Sequence, residues 1–239
     1  MRGFDNFQNA SVREREFVES GSARLFMRQV FTNMSLGLLI TALSAYFVAT
    51  NQALMTFFYS GITRYVVMFA PLIFVIVLAS RIHKMSFTNA SLTFAAYSLV
   101  NGISLAFIFW MFEMSGIVQT FAVTAGTFGA MALIGWTSKM DLSRIGSVLW
   151  MALIGLIIAS VVNVFLGSPM MDFIISGAGV LIFSGLTAWD VQKLLRIGAH
   201  ADPESDSTRK VALMGALTLY LDFINLFLFL LRFFGGGRD

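Results

Sequence analysis

The sequence predicts an all-α membrane protein in which seven transmembrane helices form a bundle. Two features of the composition point to this class: 57% of the 239 residues are apolar, and only 12% are charged. Soluble domains contain about twice that share of charged residues, roughly 25%, so this chain has too few charges to cover a soluble surface. The third feature is that the apolar residues fall into long, uninterrupted runs.

Seven apolar runs approach or reach the length that crosses a bilayer, whose hydrocarbon core of about 30 Å needs roughly 20 helical residues. In chain order they are 29–49, 66–80, 87–112, 117–136, 145–166, 173–189 and 211–234. Each is continuously apolar, whereas the strands of a membrane barrel alternate apolar and polar residues at every second position. Helices are therefore predicted for all seven.

Three of the runs have features beyond their hydropathy. The second is the shortest and contains Pro71, so a kink or tilt is expected there. The fourth and sixth are punctuated by glycines, which let helix backbones approach closely. We expect these glycines to mark helix–helix contacts: Gly126, Gly129, Gly135, Gly177, Gly179 and Gly185.

The chain divides into a polar tail at 1–24, a transmembrane domain at 25–235 and a short C-terminal tail at 236–239. The first tail lacks the apolar core of a cleavable signal, so the first span is expected to insert uncleaved. The N-terminal side of the predicted topology has thirteen of the sixteen Lys and Arg residues. This bias places the N-terminus in the cytoplasm. With seven full crossings the C-terminus lies outside, unless the last run is re-entrant.

Composition also excludes several functional classes. The net charge is +3, but the basic residues are scattered between apolar runs, so no nucleic-acid partner is expected. The absence of cysteine excludes disulfides, thiol nucleophiles and thiolate metal sites.

Two acidic residues lie where membrane spans rarely tolerate charge. Asp222 is inside the seventh run, and Asp190 ends the sixth, just before Lys193. An antiparallel pair of helices would bring the two acids together if the sixth helix continues past Lys193, or if the seventh begins beyond the membrane surface. The alternatives are an interfacial Asp190 paired with Lys193 or Arg196, and a structural Asp222 bonded to a neighbouring helix.

Two carboxyl groups held together in poor solvent cannot comfortably both ionise, so the pair is expected to share a proton. The same oxygens suit Ca²⁺, although two carboxylates fill only part of its ~6–8 coordination positions. Competition between protons and Ca²⁺ favours a leak or gated passage over a storage site. Ca²⁺ is then the transported ion, and no cofactor is expected.

Arg81 follows the second run at the same predicted cytoplasmic level as Asp190. It is either a topological charge or a basic latch that holds an ionised Asp190 and closes the cytoplasmic mouth. Other polar residues within the runs are predicted to form interhelical hydrogen bonds: Asn101, Asn163, Tyr220 and Asn225.

Three motifs resemble those of the Bax inhibitor-1 family, also called the transmembrane Bax inhibitor motif family. They are LYLDFINLFLFLLRFFG at 219–235, TAWDVQKL at 187–194 and SKMDLS at 138–143. The resemblance implies a seven-helix bundle with the last helix central, and a pH-sensitive Ca²⁺ leak. It also implies that Asp190 and Asp222 are the paired acids and Arg81 the latch.

The length of the polar tail resembles the bacterial branch of the family, which implies the inner membrane. Some bacterial relatives regulate a membrane-anchored protease. The resemblance therefore also implies an alternative function, a non-conducting regulatory protein that binds other membrane proteins.

We expect no enzymatic activity. Intramembrane aspartyl proteases place two acids on the sixth and seventh spans, but their second acid follows Gly-x-Gly, whereas Asp222 follows Leu-Tyr-Leu. A rhomboid-like site needs a histidine within a span, and His83 and His200 are both in connections. A retinal protein needs a lysine in its last span, which this run lacks.

Overall fold

The computed structural model describes residues 2–202 and 205–234, with side chains described from Gly21 onward except for His83. The predicted C-terminal tail, 236–239, lies outside the described residues. The described chain forms nine α-helices and one short 3-10 helix, Ile82–Lys84. The α-helices are α1 (Arg2–Thr50), α2 (Gln52–Tyr59), α3 (Thr63–Arg81), α4 (Phe87–Leu105), α5 (Ile108–Met111), α6 (Met114–Thr137), α7 (Ser143–Leu166), α8 (Pro169–Ala199) and α9 (Asp206–Phe234).

Seven helical stretches within the described residues are long and apolar enough to cross a membrane. Each coincides with one of the seven predicted runs, and the third comprises α4 and α5 together. The prediction of an all-α bundle of seven transmembrane helices is confirmed. The chain is a multi-pass integral membrane protein.

The last helix, α9, is the centre of the bundle. It packs on α1, α4, α6 and α8. Of its most apolar stretch 67% is buried, against 39% or less in every other span of the described chain. A helix that is apolar around its whole circumference is stable when it is surrounded by other helices. Small residues such as Gly215 and Ala216 let those neighbours approach.

The structure adds two features that hydropathy did not predict. The short helix α2 follows the first span, and the third span is interrupted at Ala106 and Phe107. The hydroxyl of Tyr59, at the end of α2, lies at this interruption. It donates to the Ile103 carbonyl at 2.5 Å and accepts from the Phe107 N–H at 3.2 Å. The Ile103 carbonyl also accepts from the Ala106 N–H at 3.3 Å. Tyr59 thus supplies an acceptor for the Phe107 N–H and a second donor to the Ile103 carbonyl at the interruption.

The segment predicted as a polar tail, 1–24, is helical in the structure from Arg2 onward and continuous with the first span. Extending an existing helix fixes one residue for each hydrogen bond gained, which is easier than nucleating a new helix. The span itself begins at Gly21. The second span, α3, is a single helix that includes Pro71.

The glycines predicted to mark helix contacts divide into two groups. Gly135, Gly179 and Gly185 lie so close to other helices that an added Cβ would clash, which agrees with the prediction. The prediction is wrong for Gly126 and Gly129, because nothing lies within 4 Å of the position their Cβ would take. A Cβ on Gly177 would make only an ordinary contact with the Phe233 ring, at 3.6 Å.

Candidate functional site

The helices α8 and α9 form an antiparallel pair that brings the two predicted acids to the same depth. The helix α8 continues past Lys193 to Ala199, and α9 begins at Asp206. Contacts on either side of the acids define the register. Leu194 packs on Gly215 towards one end, and the ring of Phe183 stacks on Phe229 towards the other, with 5.7 Å between the ring centroids.

Asp190 and Asp222 face each other within hydrogen-bonding range. Each is only 5% exposed. Two ionised carboxylates have no proton to share, so a hydrogen bond between them requires that one be protonated. Asp222 Oδ2 is buried, and among the described residues no N–H or hydroxyl group donates to it. The pair therefore includes an oxygen that could accept a proton or a cation.

Basic side chains near the pair are engaged elsewhere. Lys193, whose charge acts on Asp190, lies over the ring of Trp189 with its Nζ 5.1 Å from the centroid. Arg196 forms an ion pair with Asp141 at 2.7 Å. Among the residues whose side chains the structure describes, neither acid of the pair takes part in an ion pair.

Arg81, the predicted latch, is the last residue of α3, and its side chain is exposed. Among the described residues no ion pair joins Arg81 to Asp190. The latch role of Arg81 thus stays a prediction about a state in which Asp190 is ionised.

The donor set limits how a cation could be held here. In the described part of the chain, no cluster of three or more acidic, histidine or cysteine side chains is present that could hold a metal ion. Ca²⁺ prefers ~6–8 oxygen ligands, so water and backbone carbonyls would have to complete its coordination. Such a site would bind Ca²⁺ weakly and exchange it readily.

The bundle is closed on the side of the pair where Lys193 lies. An added Cβ on Gly198 would lie 2.7 Å from the Phe26 ring, and one on Gly215 would lie 2.6 Å from Leu194 and 3.4 Å from Val30. Phe26 and Val30 are fully buried. Apolar side chains thus fill the space between the acids and this end of the bundle.

On the other side of the pair lies a cavity of about 110 Å³. It is bounded by α1, α4, α5, α6 and α9, and its lining includes Thr41, Ala45, Ile108, Phe121, Phe223 and Phe227. Almost all of these side chains are apolar, and Phe223 directly follows Asp222 in the chain. The residues named on both sides of the pair are therefore mostly apolar.

A second buried polar cluster fixes the other face of α9. The Tyr220 hydroxyl lies 2.6 Å from Thr41 Oγ1 and accepts from Asn101 Nδ2 at 2.7 Å, and Thr41 donates to the Ser98 carbonyl at 2.9 Å. The prediction of interhelical hydrogen bonds is confirmed for Tyr220 and Asn101 by these contacts between α1, α4 and α9.

Two other predicted interhelical bonds have different outcomes. The Asn163 side chain donates to Asp172 of α8 at 3.4 Å, so this prediction holds. The prediction is wrong for Asn225, whose amide donates at 2.8 Å to the Leu221 carbonyl of its own helix. An intrahelical acceptor four residues back lets a polar side chain satisfy itself without a neighbouring helix.

Sequence reasoning missed a polar cluster beside the acid pair. Gln192 and Arg196 of α8 bind the connection between α6 and α7, where Asp141 lies, and Arg196 also binds Ser143, the first residue of α7. Hydrogen bonds from Ser143 and Arg196 lower the pKa of the Asp141 carboxyl to about 2. Gln192 lies in the motif TAWDVQKL, and Asp141 and Ser143 lie in SKMDLS, whereas Arg196 lies two residues beyond the first motif. The joint presence of the two motifs was the signal available in the sequence.

Comparison with known proteins agrees with this architecture. Residues 23–239 match the family model described as "Inhibitor of apoptosis-promoting Bax1". The inner membrane protein YbhL of Escherichia coli K12 is 45% identical over 215 residues, which cover 89% of this chain and 92% of that protein. An uncharacterized protein of Borreliella burgdorferi is 40% identical over 90% of this chain and 93% of its own length.

An uncharacterized protein of Rickettsia prowazekii is 37% identical over 90% of this chain and 91% of its own length. The match to the family model extends over the described spans, and the curated relatives are covered almost completely. The chain belongs to the Bax inhibitor-1 family of membrane proteins.

Proposed function

We propose that this protein is a pH-sensitive Ca²⁺ leak channel gated by the paired acids Asp190 and Asp222. The observation on which the proposal depends is the approach of two buried carboxyl groups without an ion-pair partner among the described residues. A charge inside a membrane span is costly and is retained mainly where it serves function. Protons and Ca²⁺ would compete for the same carboxyl oxygens.

The apolar packing around Phe26 and Val30 makes the present conformation a closed one. Conduction therefore requires these apolar side chains to move apart. In the proposal, Arg81 binds an ionised Asp190 at alkaline pH and holds the mouth shut. Protonation of Asp190 releases Arg81, so the leak is larger at acidic than at alkaline pH.

The small number of protein oxygen ligands at the acid pair favours a site through which Ca²⁺ passes over one that stores Ca²⁺. Two carboxylates with water and carbonyls bind Ca²⁺ loosely enough for it to leave, and conduction needs sites that release the ion. Protons and Ca²⁺ are thus the proposed ligands of the pair. We propose no resident cofactor and no enzymatic role.

We propose that the protein lies in the bacterial inner membrane with its N-terminus in the cytoplasm. The asymmetry of Lys and Arg supports this orientation. The name of the relative from Escherichia coli, an inner membrane protein, supports the location. The closed end of the bundle then faces the cytoplasm.

The test is Ca²⁺ flux into liposomes that contain only the purified protein, measured with an entrapped dye at pH 6 and pH 8. We expect flux at pH 6 that exceeds flux at pH 8. Empty liposomes and liposomes with an unrelated seven-helix protein are the controls. Absence of flux at both values would overturn the leak and favour the alternative, a non-conducting protein that binds and regulates membrane partners such as a membrane-anchored protease.

A further inference from the structure

The amide of Gln192 is one of the most completely bonded polar groups of the bundle. Its Oε1 accepts from the Leu142 N–H at 2.9 Å and from Arg196 Nη2 at 2.9 Å. Its Nε2 donates to the carbonyls of Met140 at 2.8 Å and Ser138 at 3.3 Å. A side-chain amide has two N–H donors and one oxygen with two lone pairs, so all of its capacity is used. Only 7% of Gln192 is exposed.

These hydrogen bonds attach α8 to the connection between α6 and α7. The preceding turn of α8 is attached just as closely. An added Cβ on Gly135 of α6 would lie 2.2 Å from the Ala188 carbonyl oxygen, and one on Gly146 of α7 would lie 2.3 Å from the Trp189 ring. The stretch of α8 that contains Asp190 is thus fixed to α6, to α7 and to their connection.

Asp222 belongs to a differently anchored helix. Two residues before it, Tyr220 binds Thr41 of α1 and Asn101 of α4. The hydrogen bonds of Gln192 lie within one group of helices, α6–α7–α8, and those of Tyr220 lie within another, α1–α4–α9. The two acids face each other where these groups meet. Their separation depends on the direct packing of α8 on α9 and on how firmly each group holds its own acid.

We propose that Gln192 is a positioning residue, which fixes the depth and rotation of Asp190 opposite Asp222 by binding the connection between α6 and α7. Gln192 is neutral, so it acts on the pair through geometry. The charged groups that act on Asp190 are Lys193 and Asp222, and the one that acts on Asp222 is Asp190. The inference deepens the proposed function and rests on it for the flux readout, although a titration readout is independent of conduction.

The variant that tests the inference is Gln192→Met, which keeps the size of the side chain and the charge of the site but removes all four hydrogen bonds. The matched control is Thr137→Val. Thr137 is exposed at the end of α6, and its hydroxyl bonds only within its own helix, to the Leu133 carbonyl at 2.7 Å. Protonation of the acid pair is followed by the carbonyl-stretch band of protonated carboxyl groups in infrared difference spectra, assigned with Asp190→Asn and Asp222→Asn.

We expect Gln192→Met to shift the titration midpoint of the pair by about one pH unit, the scale at which two sites titrate as a coupled pair. Thr137→Val should keep the wild-type midpoint. A folded Gln192→Met protein with an unchanged midpoint overturns the inference. If Gln192→Met does not fold, Gln192→Asn serves instead, because its shorter amide cannot span the same distance, and the same shift is expected.

Ca²⁺ flux against pH, measured on the same proteins, separates this inference from the proposed function. A midpoint that shifts in Gln192→Met, with no flux from the wild type, supports the positioning role and overturns the leak. A pH-dependent wild-type flux with a titration that Gln192→Met leaves unchanged supports the leak and overturns the positioning role.

Discussion

Tyr220 and Asp222 lie two residues apart on α9 and face opposite groups of helices. The Tyr220 hydroxyl binds Thr41 and Asn101, whereas the Asp222 carboxyl faces Asp190 of α8. One turn of the central helix therefore holds both a structural anchor and half of the acid pair. A substitution at Tyr220 should therefore lower the stability of the fold, whereas one at Asp222 should change Ca²⁺ binding and the pH dependence of flux.

Replacing Asp222 by Asn keeps the shape of the side chain and removes its ability to ionise. We expect Ca²⁺ affinity to fall about tenfold, equivalent to ~1.4 kcal/mol, and the pH dependence of flux to flatten. Isothermal titration in detergent and liposome flux between pH 6 and pH 8 measure the two effects. Asp206→Asn, an exposed substitution in the first turn of α9, is the control. An unaltered pH profile would remove Asp222 from the mechanism.

Replacing Tyr220 by Phe leaves the Asn101 amide without its hydroxyl partner in the buried core. Interhelical hydrogen bonds in membrane proteins contribute ~0.6–1.7 kcal/mol, and we expect the free energy of unfolding to fall by about 1 kcal/mol. Equilibrium unfolding of the wild type and the variant in mixed micelles measures this free energy. Tyr65→Phe is the control, because that hydroxyl is exposed and binds only its neighbour Arg64. Equal stability of the two variants would contradict the anchoring role.

Glycine is required at position 135 but not at position 126. A Cβ on Gly135 would lie 2.2 Å from the Ala188 carbonyl oxygen, whereas the same atom on Gly126 would meet nothing within 4 Å. We expect Gly135→Ala to reduce the free energy of unfolding by ~1–3 kcal/mol through overpacking. Gly126→Ala should change it by less than ~0.5 kcal/mol. A neutral Gly135→Ala would show that α6 and α8 can separate freely.

Removing the guanidinium of Arg81 tests the latch. If an ionised Asp190 binds Arg81 at alkaline pH, Arg81→Ala should raise flux at pH 8 towards its value at pH 6. Lys84→Ala, which removes a nearby exposed charge, should leave the ratio of the two fluxes unchanged. Wild-type flux from Arg81→Ala at pH 8 would count against the latch.

The Asp141–Arg196 ion pair should persist throughout the pH range in which the leak is proposed to respond. The pKa of Asp141 is lowered from 3.8 to about 2 in the folded protein. The hydrogen bonds from Ser143 and Arg196 that lower this pKa therefore stabilise the fold above pH 3.8, and that contribution is lost as the pH falls through 2. Carbon-13 NMR of the labelled carboxyl should give a midpoint near 2 in the wild type. Arg196→Met should raise it towards 3.8, and an unmoved midpoint would exclude Arg196 as a cause.

Hydropathy predicted the seven spans because a bilayer imposes a minimum length and a continuous apolar sequence on each crossing. Two facts placed Asp190 and Asp222 near each other, namely their presence on consecutive helices and the antiparallel packing of such helices. The continuation of α8 past Lys193 could only be stated as a condition. The residues VQKLL continue a helical pattern, but the packing of Leu194 on Gly215 and of Gly198 on Phe26 could not be read from the local sequence.

Contacts between distant parts of the chain were beyond sequence reasoning. Tyr59 completes the hydrogen bonding of a helix break near Phe107, and Gln192 binds a connection some fifty positions earlier. Neither contact produces a periodic pattern in the sequence from which it could be predicted. The glycines show the same limit: Gly129 and Gly135 look alike in the sequence, yet only Gly135 meets a neighbouring helix.

The burial of α9 has a consequence for biogenesis. Chains fold from the N-terminus during synthesis. The first six spans therefore enter the membrane before the ribosome has released α9, the helix that packs at their centre. A premature stop codon upstream of Asp206 would yield six helices arranged around an unfilled middle. Cellular quality control should remove such a product, because it lacks the segment against which the others assemble.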